Sequence, residues 1–158
     1  MSLAESTEFH DALNHVAKHG YADPNATISR PADGSYDLVI EYKGYRFHDN
    51  WFGGEPFGGR EVVGKNGKVF WMMTYFGAIV DASEAPADVY GTCLKEAMRN
   101  PARELPVRGP RQYSASNGYT YSFEWTGDLN RFNGVETISN QDGKVAYVGE
   151  VSGGLVDQ

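Results

Sequence analysis

Cysteine is almost missing from this sequence. Cys93 stands alone, which excludes an intrachain disulfide and a cysteine-based zinc cluster. A lone thiol agrees with a reducing compartment, and a cytoplasmic location is the expectation. Positive charge is also scarce: 14 Lys and Arg stand against 21 Asp and Glu, for a net charge of −7 and a pI near 5.0. A nonspecific nucleic-acid binder needs cationic surface to displace condensed counterions. Direct nucleic-acid binding is therefore not expected, and neither is adhesion to an anionic membrane. No run approaches the roughly 18 apolar residues of a membrane-spanning helix, and the N-terminus lacks the basic stretch and apolar core of a signal peptide. There is no Gly-x-Ser-x-Gly elbow. The pairs Gly53-Gly54 and Gly58-Gly59 have no following helix to make a phosphate loop. No motif implies a cofactor.

What the chain does have is aromatic and flexible. Ten Tyr, eight Phe, three Trp and nineteen Gly favour β structure with many turns. At 158 residues, 41% of them hydrophobic, the simplest reading is one domain, 1–158, with a single core.

The most specific pattern occurs twice. Phe57-Gly58-Gly59-Arg60-Glu61 returns as Phe132-Asn133-Gly134-Val135-Glu136, 75 positions later. Tyr45, Phe47, Trp51 and Gly53 match Tyr119, Tyr121, Trp125 and Gly127 at an offset of 74, and Gly67-Lys68-Val69 matches Gly143-Lys144-Val145 at 76. One-residue shifts are what loop insertions produce, so the pattern predicts an internal duplication, with repeats over about 6–80 and 86–156.

A helix is predicted over 6–20, with Phe9, Leu13 and Val16 on one stripe, Ser6 or Thr7 as cap and Gly20 as stop. A second is predicted over 86–99, with Val89, Tyr90, Cys93, Leu94 and Ala97 on its apolar face. Strands are predicted at 36–42, 45–52, 57–64, 67–77, 110–115, 118–126, 131–140 and 143–151, with hairpin turns at Lys43-Gly44 and Asn66-Gly67. The expected fold is α+β: two helix-plus-four-strand repeats with pseudo-twofold symmetry. Their strands would make a bent antiparallel sheet or a barrel, flanked by the two helices. Both faces of 67–77 are rich in apolar residues, so that strand is expected to be covered on both sides.

Side chains two apart on a strand share a face. Phe57, Gly59, Glu61 and Val63 share one parity, as do Phe132, Gly134, Glu136 and Ile138. Each half thus aims a carboxylate along an apolar face, where it must find donors or take up a proton. Asp49 lies on the parity of Trp51, whereas its counterpart is Phe123. Only the first half pairs two acids, so any polar site is expected there, with Glu136 as a structural carboxylate.

The run Phe47-His48-Asp49-Asn50-Trp51-Phe52-Gly53-Gly54, with Phe57-x-Gly59-x-Glu61, Trp71-x-Met73-x-Tyr75-x-Gly77 and Arg108-Gly109-Pro110 with Tyr113, resembles an uncharacterised bacterial domain family. That family, a domain of unknown function, is found alone or appended to helix-turn-helix regulators of the XRE type. The resemblance covers most of residues 9–154 and departs at Thr74, where an Asn is expected before the tyrosine. It brings no activity with it and implies a sensing or binding role. With two predicted helices, no helix-turn-helix is expected within this chain.

His15 and His19 are spaced to share a metal, but no zincin pattern accompanies them, so a solvated helix face is expected and no metal site. His48 has the parity opposite to Asp49, and Cys93 reads as a core residue. Arg108 or Arg111 could clamp an anionic ligand or neutralise Glu61 or Glu136. Three readings follow. The first is a non-catalytic binding module whose ligand, cationic or hydroxyl-rich, meets Asp49, Trp51, Glu61, Trp71, Met73, Tyr75 and Arg108. The second is a hydrolase-type enzyme using Glu61 and Asp49. The third is a ligand-free structural domain, with homodimerisation through an exposed sheet face.

Overall fold

The computed structural model describes residues 1–157. A short 3-10 turn, Leu3–Glu5, leads into helix α1, Thr7–His19, whose Ser6 cap accepts a hydrogen bond from the Phe9 amide. Four strands follow: β1, Tyr36–Tyr42; β2, Tyr45–Gly53; β3, Phe57–Lys65; and β4, Lys68–Ile79. The second helix, α2, is π-wound over Ala87–Leu94 and α-helical over Lys95–Met98. Four more strands complete the chain: β5, Gln112–Ser114; β6, Thr120–Asp128; β7, Arg131–Ser139; and β8, Val145–Leu155. At the β1–β2 and β3–β4 turns, Lys43, Gly44, Asn66 and Gly67 all have positive φ, the geometry of tight hairpins.

All eight strands join one antiparallel sheet in the order β1-β2-β3-β4-β8-β7-β6-β5. This corrects the expected fold class. The chain is mostly β, about 45% strand and 18% helix, and is not an α+β pair of helix-flanked repeats. The physical reason is the β4–β8 ladder, which pairs Trp71 with Leu155 through to Ile79 with Tyr147. That ladder fuses the two sets of strands into one sheet, leaving the two short helices as minor coverings. The order also begins at β1 and ends at β5, so the strands do not close into a barrel.

One face of the sheet carries the core. Phe9 of α1 packs its ring against Tyr45, Phe70 and Trp71. Val89, Tyr90, Cys93, Leu94 and Ala97 of α2 are all buried, as their spacing predicts. The opposite face is open: Phe52, Phe76 and Val135 are exposed. The expectation that β4 is covered on both sides therefore fails at Thr74 and Phe76, both exposed.

Strand register sets the site. On the covered face, one row across the sheet runs Leu38, Asp49, Glu61, Met73, Gly153. The next runs Tyr36, Trp51, Gly59, Tyr75, Val151, Gly134, Trp125. A third brings Phe57, Gly77, Gly149, Glu136 and Phe123 into line. The two glutamates thus occupy rows on either side of the Trp51–Tyr75 row.

Candidate functional site

Both glutamates are buried, Glu61 at 7% exposure and Glu136 at 0%, but they are solvated by the protein in opposite ways. Glu136 is saturated. Arg108 donates to it through Nε at 3.0 Å and Nη2 at 2.8 Å, Tyr121 through its hydroxyl at 2.5 Å and Tyr147 at 3.2 Å. A two-pronged guanidinium bond plus two phenols is a full donor set for a buried carboxylate. Gly149, opposite Glu136, keeps this cluster open. A Cβ there would lie 2.9 Å from the Tyr147 ring and 3.0 Å from Glu136 Oε1.

Glu61 has none of this. Among the described residues no side chain or backbone group donates to its carboxyl group. The positions matching Tyr121 and Tyr147 are Phe47 and Trp71, which carry no hydroxyl, and Met73 stands where the other half has Gly149. Directly across the β2–β3 ladder lies Asp49, whose Oδ1 accepts a hydrogen bond from the Tyr75 hydroxyl. Gly59 makes that bond possible: a Cβ at Gly59 would lie 2.5 Å from Trp51 Cβ and 2.7 Å from the Tyr75 hydroxyl.

Burial and the neighbouring acid act together on this pair. Desolvation, then the negative charge of Asp49, pushes Glu61 up to about 8. Desolvation likewise raises Asp49, offset by the Tyr75 hydrogen bond and the Arg108 charge. The pair thus loses its protons in two separate steps, and near neutral pH it carries about one negative charge. Tyr75 is raised as well, by burial first and then by Asp49, so it stays a donor.

Two adjoining cavities meet at this pair. The outer one, about 420 Å³ counted to its mouth, is lined by Tyr21, Asp49, Trp51, Gly53, Gly54, Phe57, Tyr75, Leu94, Met98 and Arg108. The inner one, about 490 Å³ by the same measure, reaches Glu61 and Met73 beneath Leu13, Val16 and Ala17 of α1. Tyr21, Asp49, Tyr75, Met98 and Arg108 border both. Both cavities are narrow and suit a few waters or a small ligand.

The two acids and Tyr75 come from the chain's first half, and Leu94, Met98 and Arg108 from its second. A family described as a domain of unknown function, DUF5680, matches residues 49–156, a stretch that begins at Asp49 itself. The chain belongs to the DUF5680 family. No curated protein and no solved structure matches it. The DUF5680 match takes in Asp49, Glu61, Arg108 and Glu136 together.

Of the residues expected at a site, the fold of this DUF5680 chain brings together Asp49, Trp51, Glu61, Met73, Tyr75 and Arg108. Trp71 does not join them. It is fully buried, donates from Nε1 to the Leu129 carbonyl at 2.9 Å, and stacks on Phe132. Its parity is right, but it lies two residues beyond Met73, under Phe9. Arg108 proves to be the partner of Glu136 and still borders both cavities, 5.4 Å from the Tyr75 ring centre. Arg111 instead lies over the Trp125 ring, 3.5 Å from its centre.

Tyr21, Leu94 and Met98 are among the lining residues that escape sequence reading. Tyr21 comes from the loop after α1 and meets Trp51 edge-on, while Leu94 and Met98 come from α2. A tyrosine directly after the helix stop Gly20 was the available signal, but nothing in periodicity aims a loop residue. His48 does face away from Asp49: its Nε2 lies 2.9 Å from Asp37 on the open face. His15 stacks flat on Tyr42. Among the described residues no group of three or more His, Cys, Asp or Glu is placed to hold a metal, and no helix is long and apolar enough to cross a membrane.

Proposed function

We propose that this DUF5680 chain is a non-catalytic binding or sensing module that takes a small molecule into the cavity at Asp49 and Glu61. One observation carries the reading: Glu61 presents a buried acid with no protein donor to a cavity, while Glu136 has a complete donor set. Buried polar groups in native proteins are nearly always partnered, so an acid left facing a cavity points to a partner from outside. Trp51, Phe57 and Tyr75 supply the apolar walls that small-molecule sites have. The resemblance to domains appended to regulators points the same way. Two copies of one ancestral unit, of which only the first kept an open acid, would account for the paired motifs.

A thermal-shift screen against a broad metabolite library tests this. Wild-type protein should gain several degrees with a small set of compounds. Glu61→Gln and Trp51→Ala should lose that gain while keeping the wild-type circular dichroism. A library that leaves the melting temperature unmoved overturns the reading.

The hydrolase reading has its own support. Two facing acids held near neutrality by their surroundings are what general acid–base chemistry uses. Incubating each stabilising compound with protein and analysing the mixture separates the two readings. Compound recovered intact supports binding; conversion that disappears in Glu61→Gln supports catalysis.

A further inference from the structure

We infer that the cavity selects a small organic ammonium ion, which binds at the facing carboxyl groups of Asp49 and Glu61. This rests on the binding reading above and narrows it to one ligand chemistry.

The charges around the cavity decide the sign. From β2 comes Asp49, from β3 Glu61, from β4 Tyr75, from the loop after α1 Tyr21, and from the segment before β5 Arg108. The residues that α1 and α2 contribute (Leu13, Val16, Ala17, Leu94, Met98) are all apolar. Asp37 and His48 lie on the opposite face of the sheet, 2.9 Å from each other. Among the described residues Arg108 is the one cation that lines the two cavities, and its guanidinium is already engaged by Glu136 through two bonds; behind the lining, Lys95 of α2 lies 5.1 Å from the Tyr21 ring centre and Arg99 donates to the Ala22 carbonyl. What remains for a ligand is a pair of carboxyl groups, one of them without a donor. An anion would be repelled there. A neutral polyol would leave the pair's charge unbalanced, whereas an ammonium offers N–H donors only, which is what carboxylate oxygens require.

The walls agree with the sign. Trp51 stacks flat on Tyr36 at 5.5 Å and meets Tyr21 edge-on at 5.7 Å. Trp51, Tyr21 and Tyr75 line the outer cavity with Asp49, and Tyr21 and Tyr75 also line the inner one with Glu61; aromatic faces attract cations in a desolvated site. The small size of the two cavities limits the ligand to a few heavy atoms.

The charge balance of binding follows. Before binding, the pair holds one proton and one negative charge. The ammonium enters with its N–H bonds intact and donates to carboxylate oxygens of both acids. The proton that the pair carried leaves to the buffer, and no covalent bond is made or broken in the ligand. Affinity therefore rises with pH until the pair is fully ionised.

Isothermal titration with propylammonium chloride, 1-propanol and sodium propionate tests this, run from pH 6 to 9 in phosphate and in HEPES. The expected result is binding of propylammonium alone, tightening by roughly tenfold per pH unit between pH 6 and 8. The heat should differ between the buffers by an amount that reports release of about one proton. Glu61→Gln should weaken binding at least tenfold and remove the pH dependence; Asp49→Asn should also weaken binding at least tenfold but keep a pH dependence, because burial alone still raises Glu61, so a folding defect in one variant leaves the other as readout. Equal binding of 1-propanol, or heats independent of buffer, would overturn the inference. So would failure of propylammonium while library compounds still bind in a Glu61-dependent way; in that case the binding reading survives. Silence from both the ammonium and the library would remove both.

Discussion

Glu61 and Glu136 show that the same residue in matching strand positions can have opposite energetics. The difference lies in two hydroxyls and an arginine. Glu136 has Tyr121, Tyr147 and Arg108, whereas Glu61 faces Phe47, Trp71 and Met73 at the matching places. Removing one member of a buried, hydrogen-bonded ion pair costs about 3–5 kcal/mol, because the other charge is left uncompensated. Glu136→Gln is thus expected to destabilise the protein by that order in urea denaturation, with Arg108 stranded. Glu61→Gln breaks no protein hydrogen bond and removes a desolvated acid, so its stability at pH 7 should equal or exceed that of wild type. Equal losses in the two variants would mean that both acids are scaffold. Tyr75→Phe belongs to the same scale. It deletes the one hydrogen bond that holds Asp49 down, so the Asp49 carboxyl resonance should titrate at higher pH than in wild type, as followed by NMR.

At the scale of elements, the site depends on how closely β2, β3 and β4 approach. Gly59 lies between Trp51 and Tyr75 with no room for a methyl group, since a Cβ would sit within 2.7 Å of both. Gly59→Ala should push the Tyr75 hydroxyl off Asp49 and cost about 1–3 kcal/mol, the range for overpacking a tight interior. Helix α2 closes the other side. Its Cys93 is fully buried, and burial pushes the thiol up to about 12. A thiol reagent at pH 8 should therefore leave the folded protein unmodified and label it only as it unfolds, which makes Cys93 a reporter of α2 opening. Rapid labelling of native protein would show that α2 is not held on the sheet.

Over the whole molecule, the buried acid pair gives stability an unusual dependence on pH. Folding raises Glu61 from the ordinary glutamate range to about 8. Between those limits the folded chain binds a proton that the unfolded chain has released, so stability is highest at the acid end and falls as pH rises through the window. One proton corresponds to about 1.4 kcal/mol per pH unit. The total loss is then on the order of 5 kcal/mol, and it should be absent in Glu61→Gln. Melting temperatures from pH 5 to 9 for both proteins check this. A wild-type curve that rises over this range would contradict the burial of an unpaired acid.

Much of this protein is legible before folding. The period-two alternation places Glu61, Asp49 and Glu136 on the covered face, because β side chains must alternate. The asymmetry of Asp49 against Phe123 points to the first half, and the spacing of α2 identifies its buried side. The helix caps and hairpin turns are local chemistry, and local chemistry is written in neighbouring residues. What linear pattern cannot carry is everything that needs a distant partner. The β4–β8 ladder joins strands about seventy residues apart and turns two sets of strands into one mostly β sheet. Trp71 shares the parity of Met73 and Tyr75, yet Phe9 and Phe132 close over it and remove it from the site. Arg108 pairs with Glu136 rather than Glu61 because two tyrosines complete that cluster. Alternation chooses the face a side chain points to; the residues that meet it there come from remote segments, and only packing brings them together.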